Sequence, residues 1–171
     1  LESVKAYLRI DGDDEDATLL DLRDAAVAWV ESYTGHLLSR RQVTEQFDGL
    51  TRIALDAWPV ERVDTVTYLD PAGDMQVLPS TAYRLAAVVR PAQVKAASAA
   101  PWPVTARGDD AVLVTVTAGY ASPDVVPRNL RMAAMVMLAG LYAGREDGSL
   151  ADGTRKAAMD LCNPFRRWMV G

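Results

Sequence analysis

The sequence predicts a mixed α+β fold: a bundle of about four helices with a β-sheet and hairpin insertion between the second and third. Three observations carry that expectation. Apolar residues recur every three or four positions at both ends of the chain. The period switches to two in the middle. Stretches bearing Gly and Pro mark the changes. With 171 residues, 50% of them apolar, one domain, or one domain carrying an inserted subdomain, can bury a sizeable core. The expected segments are an N-terminal helical hairpin (1–42), an inserted β subdomain (43–120), the C-terminal helices of the bundle (121–163) and a C-terminal tail (164–171).

In the first segment, Leu1, Val4 and Leu8 fit a short helix with a narrow apolar side. Asp13 to Gly35 reads as one long amphipathic helix. Asp13 or Asp14 is expected as its N-cap, accepting hydrogen bonds from the unpaired N–H groups of the first turn. Glu15 and Asp16 put negative charge at the positive end of the helix dipole. Leu19, Leu22, Ala26, Val30 and Tyr33 line the face expected to meet the third helix. Gly35 suits the left-handed residue that ends a helix. Leu20, Val27 and Trp29 widen the apolar surface beyond one stripe. A helix that meets more than one neighbour needs that excess, and a fully surrounded helix shows the same pattern.

From Val43 the pattern alternates. V-T-E-Q-F and R-I-A-L-D-A-W read as strands, the second stopped by Pro59. Val63 to Leu78 reads as a hairpin around D-P-A-G-D, where Pro and Gly stand as a tight turn requires. A-Y-R-L fits another short strand. Val88 to Pro103 is expected to be an irregular excursion around P-W-P, with Trp102 either a rigid contact or a lid on the sheet. Ala111 to Ala118 is more uniformly apolar than the other strands and reads as a central strand.

The helical period then returns. Pro127 opens the third helix, where a missing N–H costs nothing, and Leu130, Ala134, Met137, Leu138, Leu141 and Tyr142 give it a wide apolar face. Thr154 to Cys162 is a shorter fourth helix, ended by Asn163-Pro164. The N-terminal hairpin and the C-terminal helices are expected to pack together. Phe165, Arg166, Arg167, Trp168 and Met169 follow, and these residue types are enriched in protein interfaces. Two readings stand: Phe165 and Trp168 fold back on the bundle, or the tail docks on a partner.

Little in the chain points to catalysis or to a cofactor. Counted from Asp11, the sixth and twelfth places of an EF-hand loop, which want Gly and Glu, hold Asp16 and Leu22, so the calcium motif fails. One histidine, His36, and one cysteine, Cys162, make no recognisable zinc site. His36 is expected on the surface at a helix end, and Cys162 as a small core residue. No nucleophile elbow, Walker A motif or dinucleotide fingerprint is present. An enzyme is therefore not expected. The lone cysteine excludes an intramolecular disulfide and makes a reducing compartment the default. The chain opens on Leu1 rather than Met, so further N-terminal residues are expected ahead of it. The most apolar run, Met132 to Leu141, falls far short of the ~20 residues of a membrane span. The formal net charge of −5 argues against a general nucleic-acid coat, though not against a pore through which DNA slides.

Several stretches, in order, resemble the phage head–tail connector (adaptor) family, including its members in phage-like gene-transfer particles. These are the opening L-E-S-V-K-A-Y-L-R-I-D-G-D-D-E-D through E-S-Y-T-G, the hairpin R-V-D-T-V-T-Y-L-D-P-A-G, then V-T-V-T-A-G-Y, V-P-R-N-L-R-M-A-A and the closing N-P-F-R-R-W. Residues 88–110 and the loop 146–153 match no family motif. The resemblance implies a structural protein, without cofactor or metal, that forms a homo-oligomeric ring, usually a dodecamer, in the neck of the particle, having assembled in the host cytoplasm. It implies portal protein on one side and stopper or tail-completion protein on the other, with DNA passing through the channel without sequence-specific binding. The tail Phe165–Met169 would reach the portal. Leu20, Val27, Trp29 and Trp102 are the candidates for subunit contact. The runner-up is a stopper or tail-completion protein of the same particle. A third class, a small hydrolase or a DNA-binding regulator, is opposed by the missing motifs and the acidic charge.

Overall fold

The computed structural model of the chain describes residues 1–97, 101–108, 110–146 and 148–166. Its order is α1 (Glu2–Leu8), α2 (Asp16–Thr34), β1 (Arg41–Phe47), β2 (Ile53–Leu55), β3 (Val60–Leu69), β4 (Met75–Val77), β5 (Tyr83–Ala86), β6 (Ala92–Ala96), β7 (Val112–Ala118), α3 (Arg128–Ala143) and α4 (Asp152–Cys162). The architecture is mixed α+β, four helices with antiparallel sheets. The chain forms two compact units, one of residues 1–38 and 122–171, the other of residues 39–121.

In the helical unit α3 packs on both α2 and α4. Leu19, Ala26 and Val30 of α2 are buried, as are Leu130, Ala133, Met137 and Leu138 of α3. Each fully buried Leu contributes roughly 1.5–3 kcal/mol of transfer free energy, so this seam dominates the unit. Gly35 ends α2 at φ 67°, and its N–H donates to the Glu31 carbonyl at 2.7 Å. Pro127 is the cap residue of α3 rather than part of its first turn, and its carbonyl accepts from Leu130 and Arg131.

The start of α2 corrects the sequence reading. Neither Asp13 nor Asp14 caps it: Glu15 stands at the N-cap, and no side chain bonds the first-turn amides there. Asp13 is used elsewhere. Lys5 Nζ, nearly buried on α1, reaches Asp13 at 2.6 Å and Asp16 at 2.5 Å. A cation on the preceding helix thus outcompetes the local backbone for the carboxylates, because a charge-assisted contact is stronger than a neutral cap.

The β unit holds two antiparallel sheets, one ordered β1-β7-β3-β4 and the other β2-β6-β5. β7 pairs along its whole length with β1 and also with β3, and Val112, Val114, Val116 and Ala118 are fully buried. Its high apolar content follows from that central place. The hairpin between β3 and β4 closes on Asp70, whose Oδ1 accepts the N–H groups of Ala72 and Asp74, with Gly73 at φ 91°. β7 ends at Gly119, at φ 102°, whose N–H donates to the Pro59 carbonyl at 2.8 Å. A Cβ there would stand 2.2 Å from the Ser39 carbonyl oxygen, so only glycine lets β7 close against the segment entering β1.

The second sheet departs most from the sequence reading. Val88–Pro103 is not wholly irregular. Its residues Ala92–Ala96 form β6, the middle strand of β2-β6-β5. Ala92 and Val94 face the core while Gln93 and Lys95 do not. A five-residue strand flanked by Pro and Ala carries too little β-branched character to stand out. The strand expected over R-I-A-L-D-A-W shrinks to Ile53–Leu55.

Candidate assembly surfaces

The C-terminal segment begins on a built seat. After α4, Asn163–Phe165 makes one 3-10 turn. The Tyr33 hydroxyl donates to Asn163 Oδ1 at 2.9 Å, tying the end of α2 to the end of α4. Tyr33 stacks on Trp29, one helical turn earlier, with ring centroids 5.3 Å apart and planes 5° from parallel. The Arg166 guanidinium lies over the Tyr33 ring at 5.1 Å. Phe165 meets His36 edge to face, with centroids 5.6 Å apart. His36 is buried, 6% exposed, which corrects the surface position expected for it. Phe165, which packs on it, stands 129 residues further on, so nothing in its own neighbourhood signals that contact. Phe165 and Arg166 are therefore folded onto the helices. Arg167, Trp168 and Met169 lie outside the described residues.

The opposite end of α2 is held by charge. Lys5 clamps Asp13 and Asp16. The hydrogen bond from Lys5 holds the Asp13 carboxyl below its usual range, and the same contacts push the Lys5 ammonium well above its own. The Tyr142 hydroxyl donates to Glu15 Oε2 at 2.5 Å, which raises its pKa, and Arg145 covers the Tyr142 ring at 4.0 Å. The acidic run that invites a metal reading is thus largely spent on protein contacts. Among the described residues no group of three or more His, Cys, Asp or Glu side chains converges as a metal site. Cys162 is fully buried, and burial pushes its thiol up to about 11, so it offers no thiolate at neutral pH. No described helix is long and apolar enough to cross a membrane.

The four residues expected at subunit contacts fall in two places. Leu20, Val27 and Trp29 lie on α2; Leu20 is exposed, while Val27 and Trp29 are half-buried. Trp102 is half-buried in the β unit, where it walls an open concavity of about 380 Å³ with Arg52, Gln93 and Lys95. Sequence reasoning missed further exposed apolar groups: Tyr7 on α1, Met132 on α3, and Met75 and Val77 on the edge strand β4. Met75 and Val77 share one face of that strand, and the short alternation of M-Q-V signals it in retrospect.

Residues 1–62 match the family described as phage gp6-like head-tail connector protein. The whole chain is also similar to proteins solved in the neck and virion of gene transfer agent (GTA) particles. In the neck of an empty GTA particle, computed with C6 symmetry, one chain superposes with a TM-score of 0.79 at 25% identity, covering 99% of this chain and 91% of that one. Over these first 62 residues the chain is similar to the phage head–tail connectors. A chain in the virion of the native GTA particle gives a TM-score of 0.79 at 26% identity, with the same coverage of 99% and 91%. One in the native neck, computed with C12 symmetry, gives 0.73 at 26% identity, covering 98% of this chain and 91% of that chain. No protein of curated function matches the chain by sequence.

Proposed function

We propose that the chain is the adaptor subunit of a head–tail connector: a structural protein whose copies close into a ring in the neck of a phage or phage-like particle. The observation that carries this reading is the correspondence along 99% of the chain with a protein of the GTA neck. A closed ring uses heterologous contacts, so each subunit needs two different complementary surfaces. The chain has two compact units to supply them. We read these as a helical bundle, from segments 1–42 and 121–163, interrupted by the β subdomain 43–120. The C12 symmetry of a related neck supports a dodecamer.

In this reading the ring joins portal protein to stopper or tail-completion protein, and DNA passes through it. The segment 164–171 docks on the portal. Phe165 and Arg166 fix where the tail leaves the helices, and Arg167, Trp168 and Met169 make the docking contact. No step of this role calls on catalysis, a metal or a cofactor. The test removes residues 167–171, which keeps Phe165 on His36 and Arg166 on Tyr33. The shortened chain is expected to keep its circular dichroism spectrum and melting curve and to lose co-purification with portal. Undiminished co-purification would remove the docking tail from the account.

A further inference from the structure

We propose that the open face of the β2-β6-β5 sheet is a contact surface for the phosphate backbone of duplex DNA. Antiparallel register pairs Arg84 directly with Lys95, so both stand side by side on one face of the sheet. The β2-β6 ladder pairs Ile53 with Val94, and its next step brings Arg52 beside Lys95. Arg52 and Lys95 also line the same concavity. Arg52, Lys95 and Arg84 thus form a row across the sheet, and all three are exposed. With strands about 4.8 Å apart, the row spans roughly 10 Å.

The rest of that face suits a polyanion. Its remaining positions are Ala54, Gln93 and Ala86, paired in register, with Trp102 at the rim. No carboxylate stands among them, and among the described residues none of the three cations has an ion-pair partner. The opposite face buries Ile53, Leu55, Ala92 and Val94, so the alternation fixes the cations outward. Like charges directly opposite on a sheet are destabilising. The chain carries a net charge of −5, yet none of the six paired or flanking positions of this face, 52, 54, 84, 86, 93 and 95, is a carboxylate. An uncompensated row of cations, with small side chains that allow close approach and an aromatic wall, fits the evenly spaced charges of a nucleic-acid backbone. It carries no base-reading geometry, so the contact is independent of sequence. That DNA is found beside this face rests on the connector reading; the chemistry of the face does not.

The experiment measures binding of the full chain to a labelled duplex of about 30 base pairs by fluorescence anisotropy, across salt from about 20 to 200 mM. Three phosphate contacts predict a slope of log affinity against log salt of about −2.7, and each cation replaced by glutamine removes about 0.9 of it. The triple variant Arg52→Gln, Arg84→Gln, Lys95→Gln is expected to fold by circular dichroism and to lose the binding. Absence of binding at the lowest salt, or binding that the triple variant retains, overturns the proposal. So does selective capture of poly-glutamate in place of duplex, which would make the face a dock for an acidic protein. Ring formation with portal is scored separately by mass, so failure of the DNA contact and failure of the connector reading give different results.

Discussion

The two sheets of the β unit treat charge in opposite ways. On the four-stranded sheet, Asp64 sits where β3 slips register against β7, and its carboxylate accepts from Thr117 at 2.7 Å, Arg62 at 2.7 Å and Gln42 at 3.3 Å. Beside it Arg40 pairs with Glu61 at 2.9 Å, and Thr44 bonds Thr115 across the strands. The three-stranded sheet has the same antiparallel pairing and the same inward apolar face, yet it sets Arg84 against Lys95 with no anion between. A polar face that satisfies itself is scaffold. One that carries uncompensated charge of a single sign implies something outside the chain.

Substitutions on the two sheets can break or sharpen this contrast. The largest effect is expected at a fully buried core position of the three-stranded sheet. Leu55→Ala, at a fully buried position of β2, should cost about 2–5 kcal/mol in urea denaturation. A loss under about 1 kcal/mol would mean that the three-stranded sheet is not part of the cooperative core.

Next comes Asp64→Ala, which strands the hydrogen-bonding groups of Arg62, Gln42 and Thr117. It should cost about 1–3 kcal/mol by the same measurement. The same carboxylate sets an acid limit. Burial pushes its pKa up, but the hydrogen bonds from Thr117, Arg62 and Gln42 outweigh burial and hold it below the usual range. Its folded value therefore lies below the unfolded one of about 3.9. The stability it contributes is complete above about pH 4 and is lost as pH falls through the folded value. Melting temperature against pH should fall on that acid limb, and Asp64→Asn should flatten it. An identical limb in the variant would show that Asp64 is not the group responsible.

The smallest effect has the opposite sign. Arg84→Gln removes one of two like charges and should leave stability unchanged or raise it by about 0.2–1 kcal/mol. A clear loss would place an unseen anion beside Arg84 and bring the second sheet into line with the first.

The same contrast explains what the sequence made legible. α2, α3 and β7 carry long periodic or largely apolar runs; Leu19, Ala26 and Val30 of the face expected on α2 and Leu130, Met137 and Leu138 of that on α3 are buried, while Leu22, Tyr33, Ala134, Leu141 and Tyr142 are half-buried. The D-P-A-G-D turn was readable because Asp70 and Gly73 act on their own neighbours. What stayed hidden depends on partners far along the chain. His36 packs against Phe165, Tyr33 is anchored by Asn163, and Lys5 diverts Asp13 from its cap. β6 is a strand because β2 and β5 flank it, not because A-Q-V-K-A prefers to be one. The basic row follows from strand register, since Arg52, Arg84 and Lys95 are scattered in sequence and come together only once β6 lies between β2 and β5.

The central claim is that this chain closes into a ring in a particle neck, and the most direct test is the mass of the assembly it forms with portal protein. Native mass measurement of the mixture should give one discrete species carrying a full ring of copies, six- or twelve-fold by analogy with the related necks. Portal with only one or a few copies bound, or with none at any concentration, would contradict the account.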